Sequence, residues 1–288
     1  MNWIIIAIFS YFLLALVNVF EKIIRIQRGS FVLLLLNSLA RFPFLLIPLF
    51  FQIGDYNPII ISLTIFTGIL SNIAFFPYLK ALMKEEVSRL VPLWNFIPPL
   101  TLILALFFLN EQLPNNFYYA FTLILIGSIL LSIKDFKGGI SKTALFLMLL
   151  SSILYSVDSI ILKYVSGFLG FMDMLFYTGV GNLIFASLLL ISNNEAKKDL
   201  LSIRKMRFAI IYLLILALAV SLYLLSIQNI SISIFIVLGG FQSLFLAGIA
   251  FITHKHFIKI DEKTDLQSLT IKVISILLMI VGLYILNN

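Results

Sequence analysis

The stretch Tyr78–Leu113, YLKALMKEEVSRLVPLWNFIPPLTLILALFFLNEQL, decides how the rest of the chain is read. It runs from the end of one apolar segment through a short charged turn, KEEVSR, into the whole of the next. The second segment carries Trp94-Asn95 and then Pro98-Pro99. Each proline lacks an N–H and clashes with the carbonyl four residues back, here those of Trp94 and Asn95. Lipid cannot satisfy carbonyls freed in this way, so a neighbouring helix, water or a substrate must. A helix that interrupts itself beside polar groups is therefore the first place to look for function.

Composition sets the class. The 288 residues are 61% hydrophobic and 11% charged, with a mean hydropathy of +1.12. A soluble chain of this length cannot hide that much apolar surface, which makes it an all-α integral membrane protein. The net charge of +7 sits in short clusters between apolar runs. That pattern suits loops facing an anionic cytoplasmic leaflet and gives no footprint for nucleic acid. With no cysteine, disulfides, thiolate metal sites and cysteine nucleophiles are excluded. The opening MNWIIIAIFSYFLLALVNVF has neither a basic n-region nor a small-residue cleavage site, and reads as a retained first span.

A helix needs about 20 apolar residues to cross the hydrocarbon core. Ten segments qualify: Asn2–Phe20, Ser30–Gln52, Pro58–Leu79, Val87–Leu109, Phe117–Ile133, Thr143–Leu162, Phe171–Ile191, Phe208–Ile227, Ser231–Thr253 and Leu269–Leu286. Turn signals such as Asp55-Tyr56-Asn57-Pro58, Pro114-Asn115-Asn116, Lys137-Gly138-Gly139 and Ser192-Asn193-Asn194 fall between them. Every Lys and Arg except Arg41 and Lys163 lies in a loop after an odd-numbered span or, as Arg89 and Lys272 do, in the first residues of the span that follows such a loop. The positive-inside rule then puts the odd-numbered loops in the cytoplasm and both termini outside, in a multi-pass protein of the plasma (inner) membrane.

Ten spans divide as five plus five, with KDFKGGISK as the hinge, giving repeats over residues 1–136 and 137–288 of one membrane domain. Laid without gaps on Tyr223–Ile258, the opening stretch matches Tyr78 with Tyr223, Leu79 with Leu224 and Ser88 with Ser233. Leu93, Phe96 and Ala105 then meet Leu238, Phe241 and Ala250, Trp94-Asn95 meets Gly239-Gly240, and Pro98 meets Ser243. An odd number of spans per repeat inverts one half relative to the other. Inverted repeats with Gly- or Pro-interrupted helices in corresponding positions point to a transporter's central site.

These residues resemble the drug/metabolite transporter superfamily and, within it, the ten-span EamA-type proteins. The likeness rests on the two five-span halves, Arg41-Phe42 in span 2, the turn residues Ala81, Pro92-Leu93 and Pro98, and Glu111 in LNEQL. It implies a secondary carrier or exporter of metabolites, amino acids or drugs that needs no ATP site and no cofactor. Two features depart from the pattern: His256 stands where the second repeat usually has an acid, and the termini come out external.

Arg41 is the costliest residue to place, since an arginine near mid-span costs roughly 2.5–3.5 kcal/mol on insertion scales. Asn37 lies one turn away on the same face. Two readings fit Arg41: bidentate recognition of an anionic substrate group, or a clamp on neighbouring helices. Asp158 is the one acid placed well inside a span. As a desolvated carboxylate it is the coupling candidate for protons, or else a partner for Arg41 or Lys163. The expected substrate-binding set is Arg41, Asn37, Asn72, Tyr78, Trp94, Asn95, Tyr177, Asn182, Tyr223, Gly239, Gly240, Gln242 and Ser243, around the break at Pro98 and Pro99. Gly239-Gly240 also fits a small-residue packing seam. Tyr155 is a further polar group within a span, and Glu111 reads as a structural helix-end residue. His254 and His256 do not make a metal site the expectation.

The leading expectation is a secondary active transporter, exporter or exchanger, with its small-molecule substrate near mid-membrane between the repeats and alternating access as its mechanism. The lipid bilayer is its other partner, and the sequence leaves monomer and homodimer open. The alternatives are a membrane-embedded transferase, which would want a cluster of acids and histidines at one interface, and a non-transporting membrane scaffold.

Overall fold

The computed structural model describes residues 3–27, 30–85, 90–132, 141–194, 196–198, 208–253 and 266–287, and among them it is all helix. The α-helices are α1 (Trp3–Gln27), α2 (Ser30–Leu39), α3 (Pro58–Leu82), α4 (Ile97–Phe108), α5 (Asn115–Ser132), α6 (Lys142–Ser166), α7 (Phe171–Ser192), α8 (Ala209–Asn229), α9 (Ile232–Leu238), α10 (Gly240–Thr253) and α11 (Leu266–Asn287). Two 3₁₀ segments, Phe42–Leu49 and Val91–Phe96, follow α2 and precede α4. Six stretches are long and apolar enough to cross a membrane: Trp3–Glu21, Phe31–Leu49, Pro58–Leu82, Lys142–Ser166, Phe171–Ser192 and Ala209–Asn229. The remaining apolar helices, Leu93–Phe108, Asn115–Leu130, Ile232–Leu246 and Val273–Leu286, are shorter.

Helix starts follow local chemistry. Asn57 caps α3, its side chain accepting from the Ile59 N–H, and Pro58 occupies the first turn where its missing N–H does no harm. Ser141 and Ser231 cap α6 and α9 in the same way, accepting from Ala144 and Ile234. Outside, large apolar side chains such as Phe107, Phe108, Ile191 and Tyr284 stand exposed. A soluble protein would bury them, whereas a multi-pass membrane protein turns them to lipid.

Lipid is as apolar as a leucine side chain, so close packing and interhelical hydrogen bonds hold the helices together. α1 packs on α8 and α10, while α6 packs on α3 and α4. α5 lies along α11, α9 meets α4, and α7 meets α3 and the segment Phe42–Leu49. The tightest approach joins α3 to α7 at Gly68 and Gly181. A methyl group added at Gly68 would lie 2.9 Å from the Gly181 Cα and overlap the Thr178 carbonyl oxygen. Ser151 adds a hydrogen bond from α6 to the Ala74 carbonyl of α3 at 2.6 Å.

Candidate functional site

Span 2 is not one helix. α2 stops at Leu39, and Arg41 turns the chain with φ −92° and ψ 0° into the 3₁₀ segment. Pro43 at the start of that segment and Pro48 within it explain the break, because neither can donate to an α-helical ladder. The break places Arg41 against α3 and α7. Its Nη1 donates to Ser71 Oγ at 2.8 Å and to Asn182 Oδ1 at 2.7 Å. Asn182 Oδ1 also accepts from Asn72 Nδ2 at 2.7 Å, and Asn72 Oδ1 accepts from Asn37 Nδ2 and Ser38 Oγ, each at 2.9 Å. Asn72 and Asn182 are fully buried. Five asparagine and serine side chains thus tie Arg41 to α2, α3 and α7, through the contact that Gly68 and Gly181 permit.

The network leaves something unspent. Arg41 Nε and Asp158 Oδ1 are both buried without a hydrogen-bond partner. Both residues line a cavity of about 170 Å³, shared with Thr67, Ser71, Tyr155 and Tyr223. Lys163 is not the partner of Asp158. Its Nζ donates to the Ile227 and Ile230 carbonyls at 2.7 Å each, closing the end of α8.

A second cavity, of about 250 Å³, lies between the halves of the chain. Asn37, Tyr78, Trp94, Asn95 and Pro98 line it from the first half, and Tyr223, Gly239, Gly240, Gln242 and Ser243 from the second. Its walls are aromatic. Tyr78 and Trp94 have ring centroids 4.9 Å apart, and Trp94 meets Tyr155 edge-on at 5.5 Å. On the other side Tyr11 stacks on Phe235 at 5.0 Å, and Tyr223 meets Phe235 at 4.7 Å. A Cβ at Gly239 would lie 3.1 Å from the Tyr11 ring, so glycine is what lets the two approach. Leu14, Asn37, Tyr155, Leu216 and Tyr223 line both cavities and form the partition between them.

The helix breaks differ from the sequence expectation in one respect. Pro98 and Pro99 sit in the first turn of α4, where proline is tolerated, and not inside a helix. The Trp94 carbonyl accepts from the Ile97 N–H in the 3₁₀ turn that precedes them, so it does not wait for substrate. Asn95 Oδ1 accepts from Ser128 Oγ at 2.8 Å. The corresponding break in the second half falls at Gly239, between α9 and α10.

Three residues of the expected substrate-binding set line neither cavity. Asn72 and Asn182 belong to the Arg41 network, and Tyr177 packs on Phe176 at 5.2 Å. Conversely, Tyr11, Asn18, Glu21 and Ser159 line the larger cavity without having been singled out. Glu21 was hidden by a boundary drawn at Phe20, whereas α1 runs on to Gln27. A span of about 20 residues beginning at Trp3 already reaches Glu21, and that length was the available signal. Glu21 is 8% exposed and accepts from the Tyr212 hydroxyl at 3.4 Å.

Glu111 is structural, as its position suggested. Its carboxylate accepts from the Ile232 N–H at 2.7 Å, the Ser233 N–H at 3.3 Å and Ser233 Oγ at 2.6 Å, capping α9 across the two halves. Outside the spans, the Tyr56 hydroxyl donates to Asp173 at 2.7 Å, and that bond raises the phenol above its usual range. No group of three or more potential metal ligands occurs among the described residues. His254 and His256 lie outside them, as do Glu86 and Arg89 of the opening turn.

The fold is shared with a solved crystal structure that is 13% identical, with a TM-score of 0.71 over 98% of this chain and 94% of the other. No curated protein matches the sequence. Residues 1–133 match the EamA-like transporter family. The chain is therefore a multi-pass membrane protein whose residues 1–133 are similar to the EamA-like transporters, a family within the drug/metabolite transporter superfamily.

Proposed function

We propose that the chain is a ten-span secondary active transporter, an exporter or exchanger of small molecules in the plasma membrane, working by alternating access. The observation that carries this reading is the larger cavity, lined by both halves of the chain at the two helix breaks. Two further features support an inverted-repeat architecture. The packing is reciprocal: span 1 meets spans 8 and 9, and span 6 meets spans 3 and 4. The four tyrosines of the cavity pair off at nearly one spacing, Tyr11 with Tyr155 and Tyr78 with Tyr223. A rocking motion of one half against the other would expose such a cavity to each side in turn.

With the odd-numbered loops in the cytoplasm, Glu21 and Tyr78 lie in the cytoplasmic ends of their helices. The larger cavity then faces the cytoplasm, and the pocket of Arg41 and Asp158 lies in the external half, behind Tyr155 and Tyr223. Arg41 acts as a clamp through Nη1 and offers Nε to that pocket. Asp158, whose Oδ1 has no hydrogen-bond partner, is the coupling residue. Flux assays in proteoliposomes against amino acids, nucleosides, sugars and organic amines test the proposal. Uptake or counterflow of at least one class above empty liposomes is expected, and its absence across the panel would overturn the carrier reading.

A further inference from the structure

Charge distinguishes the two cavities. Arg41 and Asp158 balance each other in the smaller one. Among the described residues lining the larger one, Glu21 is the one carboxylate, and there is no Lys, Arg or His. Its hydrogen bond from Tyr212 is long, at 3.4 Å, and a phenol supplies no positive charge. A carboxylate carried into a membrane helix is expensive and marks a functional partner by default. The same cavity is lined by Tyr11, Tyr78, Trp94, Tyr155 and Tyr223. The ring faces of tyrosine and tryptophan carry negative potential and attract a cation held within about 6 Å of the centroid.

We infer that the larger cavity recognises a monovalent organic cation, an amine or quaternary ammonium on an apolar body, with Glu21 as its counter-charge and the tyrosine–tryptophan walls as its cage. This rests on the reading of that cavity as the transport site and names the class of cargo it takes. An anionic cargo meets repulsion from Glu21 here, and Arg41 stands in the other compartment, beyond the partition. A neutral apolar cargo leaves the carboxylate with the long Tyr212 bond alone and no counter-charge, which is the more costly state for a buried charge. The cation alone satisfies both the acid and the rings.

Isothermal titration of the purified full chain in mild detergent at low ionic strength tests this, with benzyltrimethylammonium and 3-phenylpropionate as probes of similar shape and opposite charge. The ammonium should bind at least about tenfold more tightly than the carboxylate. Glu21→Gln keeps the volume and an oxygen for Tyr212, and should weaken the ammonium by about tenfold or more. Glu21→Asp should recover most of that loss, which a purely structural role for Glu21 would not produce. Trp94→Leu gives a second, chargeless route, with a loss of about threefold or more expected. Equal or tighter binding of 3-phenylpropionate, or undiminished ammonium binding in Glu21→Gln, overturns the inference. The two proposals fail separately. Flux of some other panel member without ammonium binding removes the cation site and leaves the carrier. Ammonium binding without flux of any solute, the ammonium included, removes the carrier and leaves the site.

Discussion

Replacing Asn182 by leucine asks whether protein alone already holds Arg41. Asn182 is fully buried, and leucine has a similar volume, so the change is chiefly one of polarity. It removes the acceptor shared by Arg41 Nη1 and Asn72 Nδ2, both at 2.7 Å. Neither donor is left wholly bare, since Nη1 keeps Ser71 and Nδ2 keeps the Gly68 carbonyl at 3.0 Å. The charge-assisted bond is worth about 1.5–3 kcal/mol. The neutral interhelical bond is worth about 0.6 kcal/mol, the average in membrane-protein double-mutant cycles. The expected loss is therefore about 2–4 kcal/mol. At about 2–4 °C per kcal/mol for a chain of this size, the apparent Tm in detergent should fall by roughly 4–16 °C. Arg41→Met and the double variant complete the cycle. Because either single change already breaks the Arg41–Asn182 bond, the double variant should lose less than the sum of the singles by about 1.5–3 kcal/mol. A Tm drop under about 2 °C for Asn182→Leu, or an additive cycle, would refute the clamp.

Three other outcomes follow from single contacts. Glu111→Ala strips the cap that reaches Ile232 and Ser233 and should destabilise the protein by about 1 kcal/mol, seen as a Tm drop of a few degrees with flux per folded molecule retained. Gly239→Ala places a methyl 2.9 Å from the Ile236 carbonyl oxygen and 3.1 Å from the Tyr11 ring. Tyr11 and the Ile236 backbone must both shift, so ligand affinity should fall several-fold and the Tm should fall with it, as calorimetry and melting together would show. Asp158→Asn should abolish the response of flux to an imposed pH gradient and leave exchange intact, and an unchanged gradient response would remove Asp158 from coupling.

The sequence made the broad plan legible because hydropathy acts over whole segments. Turn signals such as Asn57-Pro58 sit where helices begin, and the cap and the proline are both local chemistry. Of the three helix breaks, one falls within the opening stretch, before Ile97, and one at Gly239, within the stretch laid against it. The break at Arg41 escaped, although Pro43 and Pro48 carried it, because the apolar run continues unbroken to Phe51. Glu21 escaped because an acid next to Lys22 looks like a loop residue until the span length is imposed. Asn72 and Asn182 were read as polar groups available to substrate. Their commitment to each other and to Arg41 depends on three helices meeting, which no linear pattern reports. Pro98-Pro99 pointed to the right place for a reason the structure amends: the prolines start α4 after a 3₁₀ turn that has already satisfied the Trp94 carbonyl.

The central claim is that a cavity between the two halves opens to each side of the membrane in turn. The natural chain has no cysteine, so a single Leu216→Cys change labels one point without further engineering. Leu216 is 4% exposed and lies on the partition between the two cavities. Its reaction with a membrane-impermeant maleimide is measured in vesicles of one orientation, with reagent inside or outside and with or without saturating cargo. Alternating access predicts modification from both faces, with cargo on one side slowing reaction from that side and changing the rate from the other. Modification from one face only, under every condition in which flux is measured, would contradict it.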